Sequence, residues 1–420
     1  DFATMGWPDK TRELEYFHPT SVLCTAREII NLWVARMMML SIEFLGEKPF
    51  SEVYIHSMIQ GPDGRKMSKS LGNGVDPLEL IDEYGADATR YGVLNMSSTQ
   101  DVRFNKGKIA EGRDLANKLW NASRLLVLMG DEHALRDVPA MSELTHLEDR
   151  WIFSRLHRTI VSLTTLMETY EFATYTKELY AFVFSELCDW YLESVKPRLR
   201  SEDPPTRHQA TAMLATVLDQ TLRLVHPIMP HVTEEIAEQV WGESDKFVAT
   251  SEWPTSPHDL FLNGSWADAE SDYAAVQELT TRLRSLRQAA GMSPKNITDV
   301  VLDDPEHSLP FLVDESTRGV VETLAGVNFG SDDLSTLGQV TIPIGGTAQL
   351  TLHGLDGSTL KPRLVKEHKS AEVEVKRAQG KLKNDKFTSN APDDLIEAER
   401  TKIAQFTVVA QQLDAVLAQL

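Results

Sequence analysis

Gly64-Arg65-Lys66-Met67-Ser68-Lys69-Ser70-Leu71-Gly72-Asn73 sets three cations and two hydroxyls in the six positions from Arg65 to Ser70, between two glycines. A charged run is most often a solvated face. The frame sets this one apart. A strand-like apolar segment precedes it at residues 53–59, and Asp76-Pro77 with a helical pattern follows. A Gly-bounded cationic loop between a strand and a helix suits a polyphosphate, because lysines act as point charges on phosphate oxygens. The loop is not a Walker P-loop, since Gly-x-x-x-x-Gly-Lys-Ser/Thr is absent from it.

Upstream, the chain alternates short elements. Gly6-Trp7-Pro8 reads as a turn and Val22-Leu23-Cys24 as a buried strand. A helical pattern runs from about 26 to 44, with Ile29, Trp33, Met37 and Leu40 on one stripe. Core packing is the plain reading of that stripe. Ile29 and Trp33 nevertheless lie one turn apart, and with Trp7 they would make the walls of a small apolar pocket.

Downstream, residues 77–84 read as a helix ending at Gly85, and Gly85-Ala86-Asp87-Ala88-Thr89-Arg90 opens another. From about 108 to 245 the pattern is helical throughout. Leu115, Leu119, Ala122, Leu126 and Met129 form one stripe, and Trp151, Leu156, Ile160, Leu163 and Met167 another. A long aromatic-rich helix spans 172–199, and a further one spans 206–225 and stops at His226-Pro227-Ile228-Met229-Pro230. Thr233-Glu234-Glu235 then reads as a hydroxyl cap with acids in the first turn. This is a helix bundle with Pro-punctuated turns. Residues 246–360 read as a small α+β connector, with a helix near 267–290 and strands near 298–302, 340–344 and 348–352.

In the last sixty residues, Leu364, His368, Ala371, Val375, Ala378 and Leu382 step by four and three, as do Ile396, Glu399, Ile403, Phe406, Ala410, Leu413, Leu417 and Leu420. Those are heptad seams. The nine residues from Asn384 to Pro392 would let the two helices fold back as an antiparallel coiled-coil hairpin. Between Lys361 and Lys386 nine Lys/Arg face four Asp/Glu, although the whole chain carries a net charge of −20. That local excess points to an anion such as an RNA backbone, with pairing charges along a coiled coil as the alternative.

The 420 residues suffice for two to four domains. Composition is that of a soluble globular protein, and no apolar run is long enough to span a membrane. The net charge excludes a protein that coats nucleic acid over its whole surface. Cys24 and Cys188 are too distant in sequence for a disulfide framework or a Cys-based zinc site, which fits a reducing cytoplasm. The start at Asp1 without Met or leader reads as the beginning of a fragment within a domain.

Taken together, the motifs resemble the bacterial valyl-tRNA synthetases, a branch of class Ia aminoacyl-tRNA synthetases, from mid catalytic domain to C-terminus. The resemblance is carried by Gly6-Trp7-Pro8, Ile29-Ile30-x-x-Trp33-Val34-Ala35-Arg36-Met37, Tyr54-Ile55-His56, the loop from Gly64 to Asn73, Asp76-Pro77-Leu78 and Gly85-Ala86-Asp87-Ala88. It continues through Gln100-Asp101-Val102-Arg103-Phe104, Asn117-Lys118-Leu119-Trp120-Asn121-Ala122, Cys188-Asp189-Trp190-Tyr191-Leu192-Glu193, His226-Pro227-x-Met229-Pro230 and the terminal hairpin. Isoleucyl enzymes usually end in a Cys-rich zinc element, and two distant cysteines cannot build one. Departures are Thr89 and Thr99 where leucine and glycine are usual, and Asn31 and Leu32 in place of aromatics.

The resemblance implies a multidomain α/β plus all-α architecture. Residues 1–106 would be the C-terminal half of a Rossmann-type catalytic domain and 107–260 a helical anticodon-binding domain. Residues 261–360 would be the connector and 361–420 a coiled-coil tRNA-binding arm. The implied reaction joins valine to tRNA(Val) through valyl-adenylate, with ATP and Mg²⁺ and without zinc, in a monomeric cytoplasmic enzyme. Lys66 and Lys69 are the implied catalytic cations, with Lys69 most directly on ATP; Met67, Ser68 and Ser70 complete the ATP and pyrophosphate loop. Trp7, Ile29 and Trp33 are the implied valine pocket, and Lys366, Lys369, Lys376, Arg377, Lys381 and Lys383 the tRNA-binding side of the arm. The family's His-x-Gly-His element and editing insertion do not occur in these residues, so the chain alone is expected not to form valyl-adenylate. An isoleucyl-type fragment and a non-catalytic tRNA-binding module are the rival readings.

Overall fold

The computed structural model describes residues 3–68, 70–96, 101–140, 144–242, 247–255, 265–289, 292–293, 296–304, 309–330, 339–345, 348–353, 357–384 and 393–418. They divide into two compact units. The first takes in Asp1–Ala140, Ile152–Leu192 and Arg198–Leu262; the second takes in Met141–Trp151, Glu193–Pro197 and Asn263–Leu420.

The first unit opens with α1 (Arg12–Phe17), β1 (Thr20–Ala26), α2 (Ala35–Leu45), β2 (Phe50–His56) and β3 (Ile59–Gln60). β1 and β2 pair in parallel, with Thr20 opposite Phe50 and Ala26 opposite His56. Side chains alternate across a strand. Thr25 is buried on one face of β1, whereas Val22 and Cys24 share the other and are exposed. The expectation of a buried strand at 22–24 therefore fails: one face is covered and the apolar pair lies on the other.

The stripe on the next segment also departs from expectation. A single 3₁₀ turn, Arg27–Ile29, leads into a wider π-helical turn, Ile30–Val34, before α2 begins. Ile29, Trp33 and Leu40 are 37%, 44% and 51% exposed, so they are not core. Val34 and Ser41 are the buried residues of this stretch. Periodicity identifies an apolar face but not what covers it.

After the loop come α3 (Pro77–Tyr84), α4 (Ala86–Asn95), β4 (Val102–Arg103) and α5 (Lys106–Met129). Asp76 caps α3 by accepting from Leu78 N–H at 2.9 Å, and Pro77 occupies the first turn, where its missing N–H costs nothing. β4 pairs in parallel with β3, Ile59 opposite Val102. α4 and α5 cross at close range. A Cβ on Gly92 would stand 2.8 Å from Ile109 Cα, and one on Gly112 would stand 2.9 Å from the Ala88 carbonyl oxygen. Only glycine lets the two backbones approach so nearly.

The bundle follows with α6 (Leu147–Glu168), α7 (Phe172–Tyr180), a π-helical stretch Ala181–Tyr191, α8 (Leu192–Leu199), α9 (Pro204–Val225) and α10 (Pro230–Trp241). Leu115, Leu119, Leu126, Leu163, Leu179, Val183, Leu187 and Val217 are wholly buried in the first unit, as the 3.6-residue stripes require. α10 starts at Pro230, three residues before the expected cap, and the Thr233 hydroxyl donates back to the Met229 carbonyl at 2.9 Å. The actual cap is supplied by a different element, as described below.

The second unit holds α11 (Ser265–Ala289), β5 (Thr298–Asp303), α12 (Glu315–Ala325), β6 (Val327–Phe329), β7 (Gln339–Gly345) and β8 (Ala348–His353). The strands form one sheet in the order β6-β5-β8-β7, with β6 parallel to β5 and the other pairs antiparallel. α12 and β6 were not apparent in the sequence. Arg287 of α11 is buried and ties this region together, donating to Thr298 Oγ1 at 3.1 Å and to the Ala325 and Asn296 carbonyls.

Two long helices, α13 (Gly357–Leu382) and α14 (Asp393–Leu417), close the chain. They pack on one another in opposite directions: His368 meets Asp414 at 3.0 Å and Lys381 meets Glu399 at 2.7 Å. Leu364, Ala371, Ala378 and Leu413 on these helices are buried. Glu399 is buried as well, with Lys381 and Lys402 both donating to Oε1. The expected link from Asn384 to Pro392 lies, beyond Asn384, outside the described residues.

Candidate active site

The cationic loop is a tied turn. Gly61 N–H donates to the Arg65 carbonyl at 2.8 Å and Gly64 N–H to the Gly61 carbonyl at 2.9 Å. Gly64 has φ +77°, and a Cβ there would stand 2.9 Å from Arg103 Nε, so no other residue fits without strain. Lys66 continues from the turn as a bridge partner of Gln60. Asn73 then clamps the far side: its Nδ2 donates to the Lys66 carbonyl at 3.3 Å and its Oδ1 accepts from Ser68 N–H at 2.9 Å. Ser68 Oγ lies 3.2 Å from Ser70 Oγ and accepts from Leu71 N–H at 3.3 Å. Met67 sits between the clamped residues. Lys69 lies outside the described residues.

The charges of the loop are not equivalent. Arg65 donates to Asp63 from its backbone N–H at 2.9 Å and from Nε at 2.7 Å. These bonds hold the Asp63 carboxyl below its usual range. Lys66 Nζ ion-pairs with Glu28, which belongs to the turn Arg27–Ile29. That turn is fixed from behind. Arg27 pairs with Asp101 at 2.6 Å, and Asp101 accepts from Met58 N–H at 3.2 Å.

The loop is thus brought against the residue before Ile29. Trp7 packs edge-on against Phe44 at 5.5 Å, while Ile29 and Trp33 are exposed. A separate cleft of about 880 Å³ lies in the helices of the same unit, lined in part by Leu135, Asp219, Gln220, Glu238, Trp241 and Phe247. It contains none of the catalytic, pocket or tRNA-binding residues expected from the sequence. Cys188 is buried, and burial pushes its thiol up to about 12, which marks it as structural.

Residues singled out on the arm separate into two kinds. Lys381 is committed to Glu399, and Arg377 approaches Glu374 at 3.6 Å. Lys366, Lys369, Lys376 and Lys383 are exposed, and none of the four has an ion-pair partner among the described residues. Lys369, Lys376 and Lys383 recur every seven residues, so they line one outward face of α13 and the helical turn that follows it.

Comparison with known proteins places these features. The profile of "tRNA synthetases class I (I, L, M and V)" matches residues 1–105, that of "Anticodon-binding domain of tRNA ligase" residues 149–302, and that of "Valyl tRNA synthetase tRNA binding arm" residues 356–420. The valine–tRNA ligase of Clostridium acetobutylicum is 35% identical over 100% of this chain and 47% of its own length. That of Clostridium perfringens is 38% identical over 99% of this chain and 47% of its own length. The Bacillus subtilis relative is 37% identical over 96% of this chain and 46% of its own length. The chain belongs to the valyl-tRNA synthetase family. It spans about half the length of the relatives it matches.

Two blocks of valyl-tRNA synthetase resemblance, read separately in the sequence, meet in space. Asp87 of α4 is the missing cap of α10. It is buried and accepts from Val232 N–H at 2.6 Å, His231 N–H at 3.3 Å and His231 Nδ1 at 2.8 Å. One turn on, Arg90 donates to the Ile228 carbonyl at 2.8 Å and to the Pro227 carbonyl at 2.9 Å. α4 therefore grips both the end of the α9 turn and the start of α10. Sequence reasoning quoted both motifs and missed the bond between them. The only available signal was an Asp and an Arg one turn apart, which is common on solvated helices.

Proposed function

We propose that this chain supplies the signature-loop side of the ATP site, the amino-acid wall and the tRNA-binding surfaces of a valine–tRNA ligase. The single observation that supports it best is the ion pair of Lys66 with Glu28, which lays the cationic loop beside Ile29. In this reading the valine carboxylate attacks the α-phosphate of ATP in line and pyrophosphate leaves. Valine then passes from the adenylate to the 3′ end of tRNA(Val). Such displacements ask for positioning and charge stabilisation more than covalent help. Lys66 and Lys69 would carry the charge that develops on pyrophosphate, with Ser68 and Ser70 as oxygen ligands of the closed loop. Among the described residues, no group of three or more His, Cys, Asp or Glu could hold a metal ion. Magnesium would arrive with ATP, on the nucleotide's own phosphate oxygens. Trp7, Ile29 and Trp33 would bound the valine side chain.

In the same reading residues 1–106 are the C-terminal half of a Rossmann-type domain, 107–260 bind the anticodon, 261–360 connect, and 361–420 are a coiled-coil arm. Full-length protein carrying this chain is expected to support ATP–pyrophosphate exchange that depends on valine. Exchange driven by isoleucine instead would overturn the choice of amino acid.

The outward lysines of α13 give a second test, on the chain as it stands. Removing 361–420 is expected to weaken tRNA(Val) binding at moderate salt by roughly tenfold or more. The log–log salt slope should become shallower by roughly 0.7–0.9 for each phosphate that no longer meets a cation. Filter binding across a salt series reads both quantities, and equal affinity with and without the arm would contradict the assignment.

A further inference from the structure

We propose that Glu28 is a positioning residue: it holds Lys66 while the phosphate site is empty, and a polyphosphate must take Lys66 from it. This rests on reading the loop as a polyphosphate site. The geometry makes the contact a side-chain switch with both backbones fixed. On one side, Lys66 is held by its bridge to Gln60 and by Asn73 on its carbonyl. On the other, the turn carrying Glu28 is anchored through Arg27 to Asp101, and Asp101 is bonded to Met58 N–H. Only the Lys66 side chain needs to swing.

The two ends of the pair differ in what they can do next. The Lys66 and Glu28 side chains are 63% and 42% exposed, so water screens their attraction and an incoming anion can reach the ammonium. Arg65 is less available, because Asp63 holds it by two bonds. Lys66 is thus the described cation of the loop whose partner sits on a different element, and whose release leaves the loop's own bonds intact. While paired, its charge is largely cancelled, and any phosphate that binds competes with the Glu28 carboxylate.

The test uses inorganic tripolyphosphate and the whole 420-residue chain, by titration calorimetry at low salt. Glu28→Gln is expected to bind it about two- to five-fold more tightly than the natural chain, the range set by a screened surface pair. Lys66→Met is expected to bind several-fold more weakly. In the double variant the gain from Glu28→Gln should vanish, because nothing remains to be released. Glu28→Gln without a gain overturns the proposal while leaving the loop reading in place. An equal gain in the Lys66→Met background also overturns it, since removal of a nearby negative charge would then explain the effect. If Lys66→Met binds like the natural chain, or if no variant binds, both the phosphate role of Lys66 and the holding role of Glu28 fall.

Discussion

Asp87→Ala is expected to lower the stability of the first unit by about 3 kcal/mol. The Asp87 side chain is only 10% exposed and accepts three hydrogen bonds, two of them from backbone N–H groups in the first turn of α10. Hydrogen bonds to a charged group are worth about 1.5–3 kcal/mol each, and an orphaned buried N–H costs a further penalty. The carboxylate also faces the positive end of the α10 dipole, a favourable charge–dipole contact. Alanine removes all of this at once. An asparagine at this position would keep one acceptor but turn an NH₂ toward a second donor, so Asp87→Asn should fall between the two. The readouts are the urea midpoint of the first unit and hydrogen exchange of the α10 amides. A loss below about 0.5 kcal/mol would show that water replaces the carboxylate without penalty.

Lys69→Ala, in full-length protein carrying this chain, is expected to slow valine-dependent ATP–pyrophosphate exchange by roughly 10²–10³-fold. That is the usual loss when one group aimed at developing charge is removed. Lys66→Ala should cost less, about tenfold, because part of its charge is already given to Glu28 in the resting loop. KM for valine should move little in either variant, since on the proposed reading these cations act on the leaving group and not on the valine side chain. Thermal unfolding should be unchanged for Lys66→Ala, whose side chain is well exposed. Exchange within about threefold of the natural protein would reject the role of Lys69.

Much of this fold was readable from residue patterns, and the failures have physical causes. The loop, the Asp76-Pro77 helix start and the bundle stripes were legible because caps, prolines and 3.6-residue spacing are local signals. The exposure of Val22, Trp33 and Leu40 was not, because a pattern of apolar residues says nothing about which face is covered. α12 and β6 were missed, the strand being three residues long and too short to show alternation. The misplaced start of α10 has the most instructive cause. Its cap comes from Asp87, far upstream, and bonds between a side chain and a distant backbone leave no periodic trace. At the site, the cations were legible and their counter-ions were not. Nothing in Ala26-Arg27-Glu28-Ile29 marks Glu28 as the partner of Lys66.

The Asn73 clamp bears on the thermodynamics of any ligand the loop takes. A free loop would lose about 1–2 kcal/mol of backbone entropy for each residue it fixes on binding. Asn73 has already fixed Lys66 and Ser68 with one side chain, so that loss was incurred when the chain folded. Anion capture at this turn should therefore show a small entropic penalty, and Asn73→Ala should weaken it through entropy while leaving every cation in place.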